Sequence, residues 1–139
     1  MDQDGAAPEL LLDVRDDGLA VITLNRPRAR NTVSFAMWEA FSAALDRLEN
    51  ATPARMLIIC GAENYFSNGG DVKLPPARGA GALALAARLE MGQRVISRVR
   101  ALPIPTVAAV EGGAYGVAWS LAMACDMIFA AQDAKFGAP

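Results

Sequence analysis

The chain has 139 residues, of which 53% are hydrophobic and 20% are charged, and its formal net charge is −2. This length and composition are typical of one globular domain with a substantial core, and they exclude a disordered chain. Because the sequence contains no histidine, histidine-based catalytic triads, proton shuttles and zinc sites are excluded.

Apolar runs and cysteines indicate where the protein resides. The longest apolar runs fall short of the roughly 20 residues of a membrane span, and residues 1–4 are acidic and lack the features of a signal peptide. Cys60 and Cys125 lie in apolar stretches, so we interpret them as buried free thiols. We therefore expect a cytoplasmic protein without a membrane contact.

The 13 basic residues are dispersed along the chain, apart from a cluster formed by Arg26, Arg28 and Arg30. A nucleic-acid-binding protein needs a larger basic face. We therefore expect no nucleic-acid partner, and the sequence shows no metal-ligand cluster either.

The first half of the chain predicts a hairpin, a helix and a buried strand. Leu10–Val14 and Leu19–Leu24 read as two strands joined by an Asp-Asp-Gly turn. Ser34 is the expected N-cap of a helix that extends to about Glu49. Residues 56–60 form a continuous apolar run, which is typical of a strand covered on both faces. The apolar positions at helical spacing are Phe35, Trp38, Phe41, Ala44, Leu45 and Leu48.

The second half predicts a long helix over residues 80–101, then a buried strand at Thr106–Val110 and a glycine turn at residues 112–116. A short buried helix at Val117–Ala124 and a strand at residues 127–131 follow. The alternation of strands and helices predicts a layered α/β fold. The residues expected on the inner face of the long helix are Leu85, Leu89, Ile96 and Val99.

Two glycine-rich passages from a strand to a helix carry the chemical information. The first, residues 66–71, reads Phe-Ser-Asn-Gly-Gly-Asp, and the second leads into the helix that begins near Val117. A glycine turn lets backbone N–H groups face a ligand without an intervening Cβ, and a helix N-terminus favours an anion. Two such donors from distant parts of a chain can form an oxyanion hole.

Residues 66–71 and 105–126 resemble the two signature segments of the crotonase (enoyl-CoA hydratase/isomerase) superfamily, and the resemblance runs from near Val21 to the last residue. It implies an α/β fold, a crotonase-like spiral of ββα units over residues 1–139. Residues 1–8 would be a flexible tail, and the chain would end before the family's C-terminal helical part. The resemblance also implies an acyl-CoA substrate, with coenzyme A as part of the substrate and no permanently bound cofactor. It further implies a homo-oligomer, either a trimer or a dimer of trimers.

The resemblance assigns the oxyanion donors to the backbone N–H groups of Gly70 and Val117. Ser120 stands where true hydratases carry a catalytic glutamate. A second hydratase glutamate would follow the Phe-Gly-Ala-Pro segment at residues 136–139. Hydration by two glutamates is therefore not expected, whereas isomerisation with an acid supplied beyond Pro139 and other crotonase reactions stay open.

The resemblance also assigns residues that bind the substrate. The loop that contains Arg28 and Arg30 would contact coenzyme A, and the backbone around Asn68 would accept from the adenine amino group. We interpret Asp71 as a cap of the turn that follows it, and Trp119 as either a wall of the acyl pocket or an ordinary core residue. The full set is Arg28, Ala29, Arg30, Asn68, Gly69, Asp71, Gly116 and Trp119.

Two functions from different classes follow from these residues. The first is an acyl-CoA enzyme that stabilises a thioester enolate between two backbone amides. The second is a non-catalytic acyl-CoA-binding or structural subunit, because a serine without a histidine to activate it is a poor general base.

Overall fold

The computed structural model of the protein describes residues 7–50, 52–71 and 81–138. Its helices are α1 (Phe35–Glu49), α2 (Gly81–Ala101) and α3 (Val117–Ala124), with short 3-10 turns at Pro27–Ala29 and Ala62–Asn64. Its strands are β1 (Leu10–Val14), β2 (Leu19–Leu24), β3 (Met56–Gly61), β4 (Thr106–Val110), β5 (Gly113–Tyr115), β6 (Met127–Ala130) and β7 (Lys135–Gly137).

The main sheet has five strands in the order β1-β2-β3-β4-β6. The β1–β2 hairpin is antiparallel, and every later pair in this sheet is parallel. Parallel neighbours need a crossover connection. Helix α1 follows β2, α2 follows β3, and α3 follows β4 and β5 along the chain. A second, two-stranded sheet pairs β5 with β7. This repeated strand-to-helix connection places both glycine turns in the same part of the molecule.

The hydrophobic core lies between α1 and one face of the sheet. Residues of β2 alternate between buried and half-buried positions, as expected for a strand with one covered face. The Ser34 hydroxyl accepts a hydrogen bond from the Met37 N–H at 3.0 Å and caps α1. The buried residues of α1 are Met37, Trp38, Phe41, Ala44, Leu45 and Leu48.

Two expectations about burial are wrong. The run at residues 56–60 is not covered on both faces, since Leu57 and Ile59 are fully buried while their neighbours are half-buried. In α2, the side chains of Leu85 and Leu89 are 54% and 58% exposed. The C-terminal half of α2 packs on α1, where Val99 is buried as expected together with Gly92 and Val95, and Ile96 is half-buried.

The β6 end of the sheet is open to solvent. All four residues of β6 are exposed, whereas β4, its neighbour, is almost entirely buried. Since successive side chains point to opposite faces of a sheet, both faces are uncovered at β6.

Among the described helices, none combines the length and hydropathy that a bilayer span requires.

Candidate functional site

The two predicted glycine turns lie side by side. The Ser67 N–H donates to the Gly113 carbonyl at 2.9 Å, and the Tyr115 N–H donates to the Ser67 carbonyl at 3.1 Å. Gly69 has φ of +98°, and a Cβ at this position would lie 2.6 Å from the Tyr115 carbonyl oxygen. Only glycine fits this contact, because other residues rarely adopt this φ and would collide with the backbone.

Gly70 is exposed, and its backbone N–H is not used to pair with Val33. The Val33 N–H donates to the Gly69 carbonyl at 2.7 Å, and the Asp71 N–H donates to the Val33 carbonyl at 3.1 Å. These bonds use the groups that flank Gly70, so its own N–H points away from Val33. A Cβ at Gly70 would have no neighbour within 4 Å. The space beside the Gly70 Cα is therefore open on the side where a side chain would stand.

Val117 is the first residue of α3, and Gly116 is its N-cap, with φ of 57° and ψ of −125°. The first N–H groups of a helix have no partner within that helix, and the helix dipole makes this end partially positive. The Gly116 N–H is used elsewhere, since it donates to the Gly137 carbonyl at 2.8 Å. The N–H of Val117 is thus placed to donate to an oxygen outside the helix.

A cavity of about 680 Å³ joins these groups, and this volume is within the range of small-molecule sites. It brings together Gly70, Val117 and Ser120, the three residues predicted to take part in catalysis. Gly70 and Ser120 are exposed, so the cavity is open to solvent. Its other described lining residues are Trp38, Arg88, Leu89, Gly92, Gln93, Ile96 and Ser97.

The wall contributed by α2 and Trp38 was predicted only in part, since Leu89 and Ile96 were expected on the inner face of this helix and the other α2 residues of the wall were not. A Cβ on Gly92 would lie 3.2 Å from the Trp38 ring, so the glycine lets the ring approach the helix backbone. A glycine inside a long helical pattern commonly has such a packing reason. Gly92 was therefore the sequence signal for this wall.

The predicted coenzyme A loop lies against the first glycine turn. The Asn68 N–H donates to the Arg30 carbonyl at 3.0 Å, and the Tyr65 hydroxyl donates to the Asn68 side-chain oxygen. The Arg30 guanidinium stands 5.1 Å from the centre of the Tyr65 ring, within cation–π range. Burial raises the pKa of Tyr65. Arg28 and Ala29 belong to the adjoining 3-10 turn.

Asp71 and Trp119 lie beside the cavity and are not among its described lining residues. The buried Asp71 carboxylate accepts from Arg26 Nη2 at 3.2 Å, and Arg26 Nε is 3.4 Å from the Glu9 carboxylate. The turn that Asp71 was predicted to cap is at residues 72–80, outside the described residues. The Trp119 ring packs on Phe136, with ring centres 6.2 Å apart.

Within residues 7–50, 52–71 and 81–138, no group of three side chains of the metal-binding types is close enough to hold a metal ion. The described lining residues include no carboxylate, and Arg88 is the one charged residue among them. The cavity therefore presents backbone N–H groups, a cation and neutral polar side chains to a ligand.

Comparisons with known proteins agree on one family. A sequence model of the family described as enoyl-CoA hydratase/isomerase matches residues 15–139. A probable enoyl-CoA hydratase from Bacillus subtilis is 38% identical over 125 residues, which are 89% of this chain and 47% of that protein. An ethylmalonyl-CoA decarboxylase from Pongo abelii is 32% identical over 124 residues, 89% of this chain and 41% of that protein.

Solved structures give the same result. The crystal structure of an enoyl-CoA hydratase/isomerase from Xanthobacter autotrophicus Py2 matches with a TM-score of 0.86 at 34% identity. The match covers 96% of this chain and 50% of that chain. The chain thus spans about half the length of the relatives it matches.

Proposed function

The chain belongs to the enoyl-CoA hydratase/isomerase family of the crotonase superfamily, and we propose that it binds an acyl-CoA thioester for enolate-type chemistry. The observation that carries this proposal is the shared cavity of Gly70, Val117 and Ser120. In this proposal the thioester carbonyl oxygen accepts hydrogen bonds from the N–H groups of Gly70 and Val117.

Two fixed amides are the donors that such a reaction needs. Enolisation beside a thioester, or conjugate addition to its enoyl form, moves negative charge onto the carbonyl oxygen. Donors that are already aimed at this oxygen lower the barrier, and the loss of one typically costs about 3–4 kcal/mol. The position of Val117 at the start of α3 adds the partial positive charge of the helix end.

The coenzyme A part of the substrate would lie along the loop of Arg28, Ala29 and Arg30. The hydrogen bond between Asn68 N–H and the Arg30 carbonyl fixes this loop against the first glycine turn. Binding energy from a remote part of a substrate can be used to orient its reacting carbon. In this proposal Gly69 and Gly116 shape the two turns, and Asp71 supports the first of them. Trp119 forms a wall near the acyl group.

The residue at position 120 limits which reaction the protein can catalyse. A serine in this position cannot replace a glutamate as general acid or base, so we propose that the protein is a poor hydratase of simple enoyl-CoA substrates. Two relatives are named for different reactions, a hydratase and an ethylmalonyl-CoA decarboxylase, which supports CoA thioesters as the common substrate class. The absence of a carboxylate among the described lining residues favours a second candidate, a subunit that binds acyl-CoA without turnover.

The same proposal includes an assembly and a compartment. Exposed apolar side chains on β6 support association with further copies, which we place in a trimer or a dimer of trimers. Cys60 and Cys125 are free thiols, which supports a reducing, cytoplasmic location.

The experiment that tests the proposal removes one donor by Val117→Pro. Val117 is the first helical residue of α3, where proline is tolerated, so the N–H is lost and the helix is kept. The matched control is Val117→Ala, which keeps the amide. We would measure calorimetric binding of butyryl-CoA, hydration of crotonyl-CoA and isomerisation of a 3-enoyl-CoA.

We expect the wild-type protein and Val117→Ala to bind butyryl-CoA. Val117→Pro should lower any measured turnover by about 10²–10³-fold relative to Val117→Ala. Equal turnover in the two variants would contradict the role of Val117. Binding without turnover in either assay would favour the non-catalytic candidate.

A further inference from the structure

Arg88 differs from the other described residues that line the cavity because it carries a charge. The remaining lining is apolar or neutral, and its polar side chains are Gln93, Ser97 and Ser120. A cation in such a site is a strong determinant of which acyl group is accepted.

The guanidinium of Arg88 is held next to the first oxyanion donor. Arg88 Nη1 donates to the backbone carbonyl of Asp71 at 2.7 Å, and Asp71 directly follows Gly70. The guanidinium is thus bound to the residue that follows Gly70, and Arg88 and Gly70 line the same cavity. Arg88 is half-buried in this position.

No carboxylate of the described residues forms an ion pair with Arg88. The nearby carboxylate, Asp71, is engaged by Arg26 at 3.2 Å. Arg94 and Arg98, on the same helix, each pair with acidic side chains instead. Arg88 is therefore a half-buried arginine of α2 whose guanidinium donates to a carbonyl and pairs with no described anion, whereas Arg100, which also has no described anion, is exposed.

The donors left on Arg88 suit a carboxylate. A guanidinium has five N–H donors in a planar fork, and the Asp71 carbonyl uses one of them. Such a fork binds a carboxylate in a bidentate way, with bonds stronger than those between neutral groups. A methyl group in the same place would leave the cation partly desolvated without an anionic partner, which is unfavourable.

We propose that the acyl group of the substrate carries a second carboxylate, which pairs with Arg88. This inference rests on the proposed function, because it takes the thioester oxygen to be bound by Gly70 and Val117. The position of Arg88 beside Gly70 favours a short dicarboxylic acyl group over a long neutral chain. Arg88 is thus the residue that determines specificity between these two classes.

The test compares two thioesters of equal length, glutaryl-CoA and pentanoyl-CoA, by calorimetry with the wild-type chain, Arg88→Met and Arg94→Met. Arg94 is exposed, lies outside this cavity and pairs with Glu90 on its own helix, so Arg94→Met is the matched control. The wild-type chain should prefer glutaryl-CoA by about tenfold or more, the scale of a hydrogen bond to a charged group. Arg88→Met should abolish this preference, and Arg94→Met should keep it.

Two results would overturn the inference itself. A wild-type chain that binds both thioesters equally would show that Arg88 does not select the acyl group. If Arg88→Met lowers the affinities for glutaryl-CoA, pentanoyl-CoA and free coenzyme A equally, Arg88 contacts the coenzyme A part of the ligand or supports the loop that binds it. Binding of no thioester at all would instead contradict the proposed function. If Arg88→Met fails to fold by circular dichroism, Arg88→Lys must still show a reduced preference for glutaryl-CoA, because lysine lacks the planar fork.

Discussion

At the scale of single residues, neighbouring glycines of the first turn have different tasks. Gly69 has a positive φ, and a Cβ on it would collide with the Tyr115 carbonyl. Gly70 is not among the positive-φ glycines, and a Cβ on it would meet no neighbour. We expect Gly69→Ala to lower the free energy of unfolding by about 1–3 kcal/mol. Gly70→Ala should change it by less than about 0.5 kcal/mol. Urea denaturation of both variants measures this, and equal losses would contradict the distinction.

Ser120 gives a prediction about chemistry. We expect wild-type hydration of crotonyl-CoA well below the ordinary kcat of about 10 s⁻¹, because a serine replaces the acid. Ser120→Glu should raise the rate by placing a carboxylate in the cavity. Ser120→Gln should not, because glutamine has the size of glutamate but carries no charge. A wild-type kcat near 10 s⁻¹ would show that Ser120 is no obstacle to hydration.

Cys125 makes stability depend on pH in the alkaline range. Burial raises the pKa of its thiol from 9.0 to about 11. Between pH 9 and 11 the unfolded chain has lost a proton that the folded chain keeps, so the free energy of unfolding falls as the pH rises. The wild-type chain should lose more stability over this interval than Cys125→Ala. If the free energy of unfolding falls equally with pH in the two proteins, Cys125 does not cause the loss of stability.

The sequence predicted the two turns of the cavity and, on the long helix, Leu89 and Ile96. Gly70, Val117 and Ser120 belong to motifs whose spacing is fixed by local turns, and these three do line one cavity. Arg88 and Gln93 were missed because helical periodicity does not tell which half of a long helix packs on the core. The exposed Leu85 and Leu89 show the same limit. The assigned roles of all these residues stay predictions.

At the scale of elements, Arg98 connects the two long helices. Its guanidinium reaches Asp46 at 2.6 Å and Glu49 at 3.1 Å, both on α1. Hydrogen bonding to Glu49 is the largest cause of its raised pKa. Arg98→Met should lower the free energy of unfolding by about 1 kcal/mol, and less at high salt, because a partly exposed network is screened.

The control for Arg98 is Arg94→Met, which breaks an exposed pair within α2. Arg94→Met should lower the free energy of unfolding by less than about 0.5 kcal/mol, as is usual for exposed ion pairs at this helical spacing. Thermal or urea unfolding at two salt concentrations compares the variants. A larger loss for Arg94→Met would mean that Arg98 does not connect the helices.

Most helices and strands were predictable, since hydrophobic periodicity and end signals are local. The predictions for β1, β2, β4, α1 and α3 are confirmed within a residue or two. The strands β5 and β7 were not predicted, because each has three residues and forms by pairing with a distant segment. β5 lies inside the passage that the sequence indicated as a glycine turn.

At the scale of the molecule, the family and fold were predictable from two short motifs, and both predictions are confirmed. The motifs specify a strand, a glycine turn and a helix in each case, so they define topology as well as a site. Burial at the β6 end was not predictable, since the composition of residues 127–131 is that of an ordinary buried strand. In the structure this strand is exposed.

The exposed surface at β6 predicts association. Met123, Met127 and Phe129 are 54–60% exposed, and contiguous apolar surface of this kind commonly marks an interaction site. Sedimentation velocity should show species heavier than the 14.6 kDa chain, and Phe129→Glu should reduce them. Leu11→Glu, at the opposite edge of the sheet, should not. A wild-type monomer that melts cooperatively would contradict this prediction.

The most direct test of the central claim is the infrared stretching frequency of the thioester carbonyl, measured with butyryl-CoA labelled with ¹³C at that carbon. If the N–H groups of Gly70 and Val117 both bind the oxygen, they polarise the bond. The frequency of the bound thioester should then be lower than in water, with a smaller shift in Val117→Pro than in Val117→Ala. A bound carbonyl that absorbs at the frequency found in water would contradict the claim.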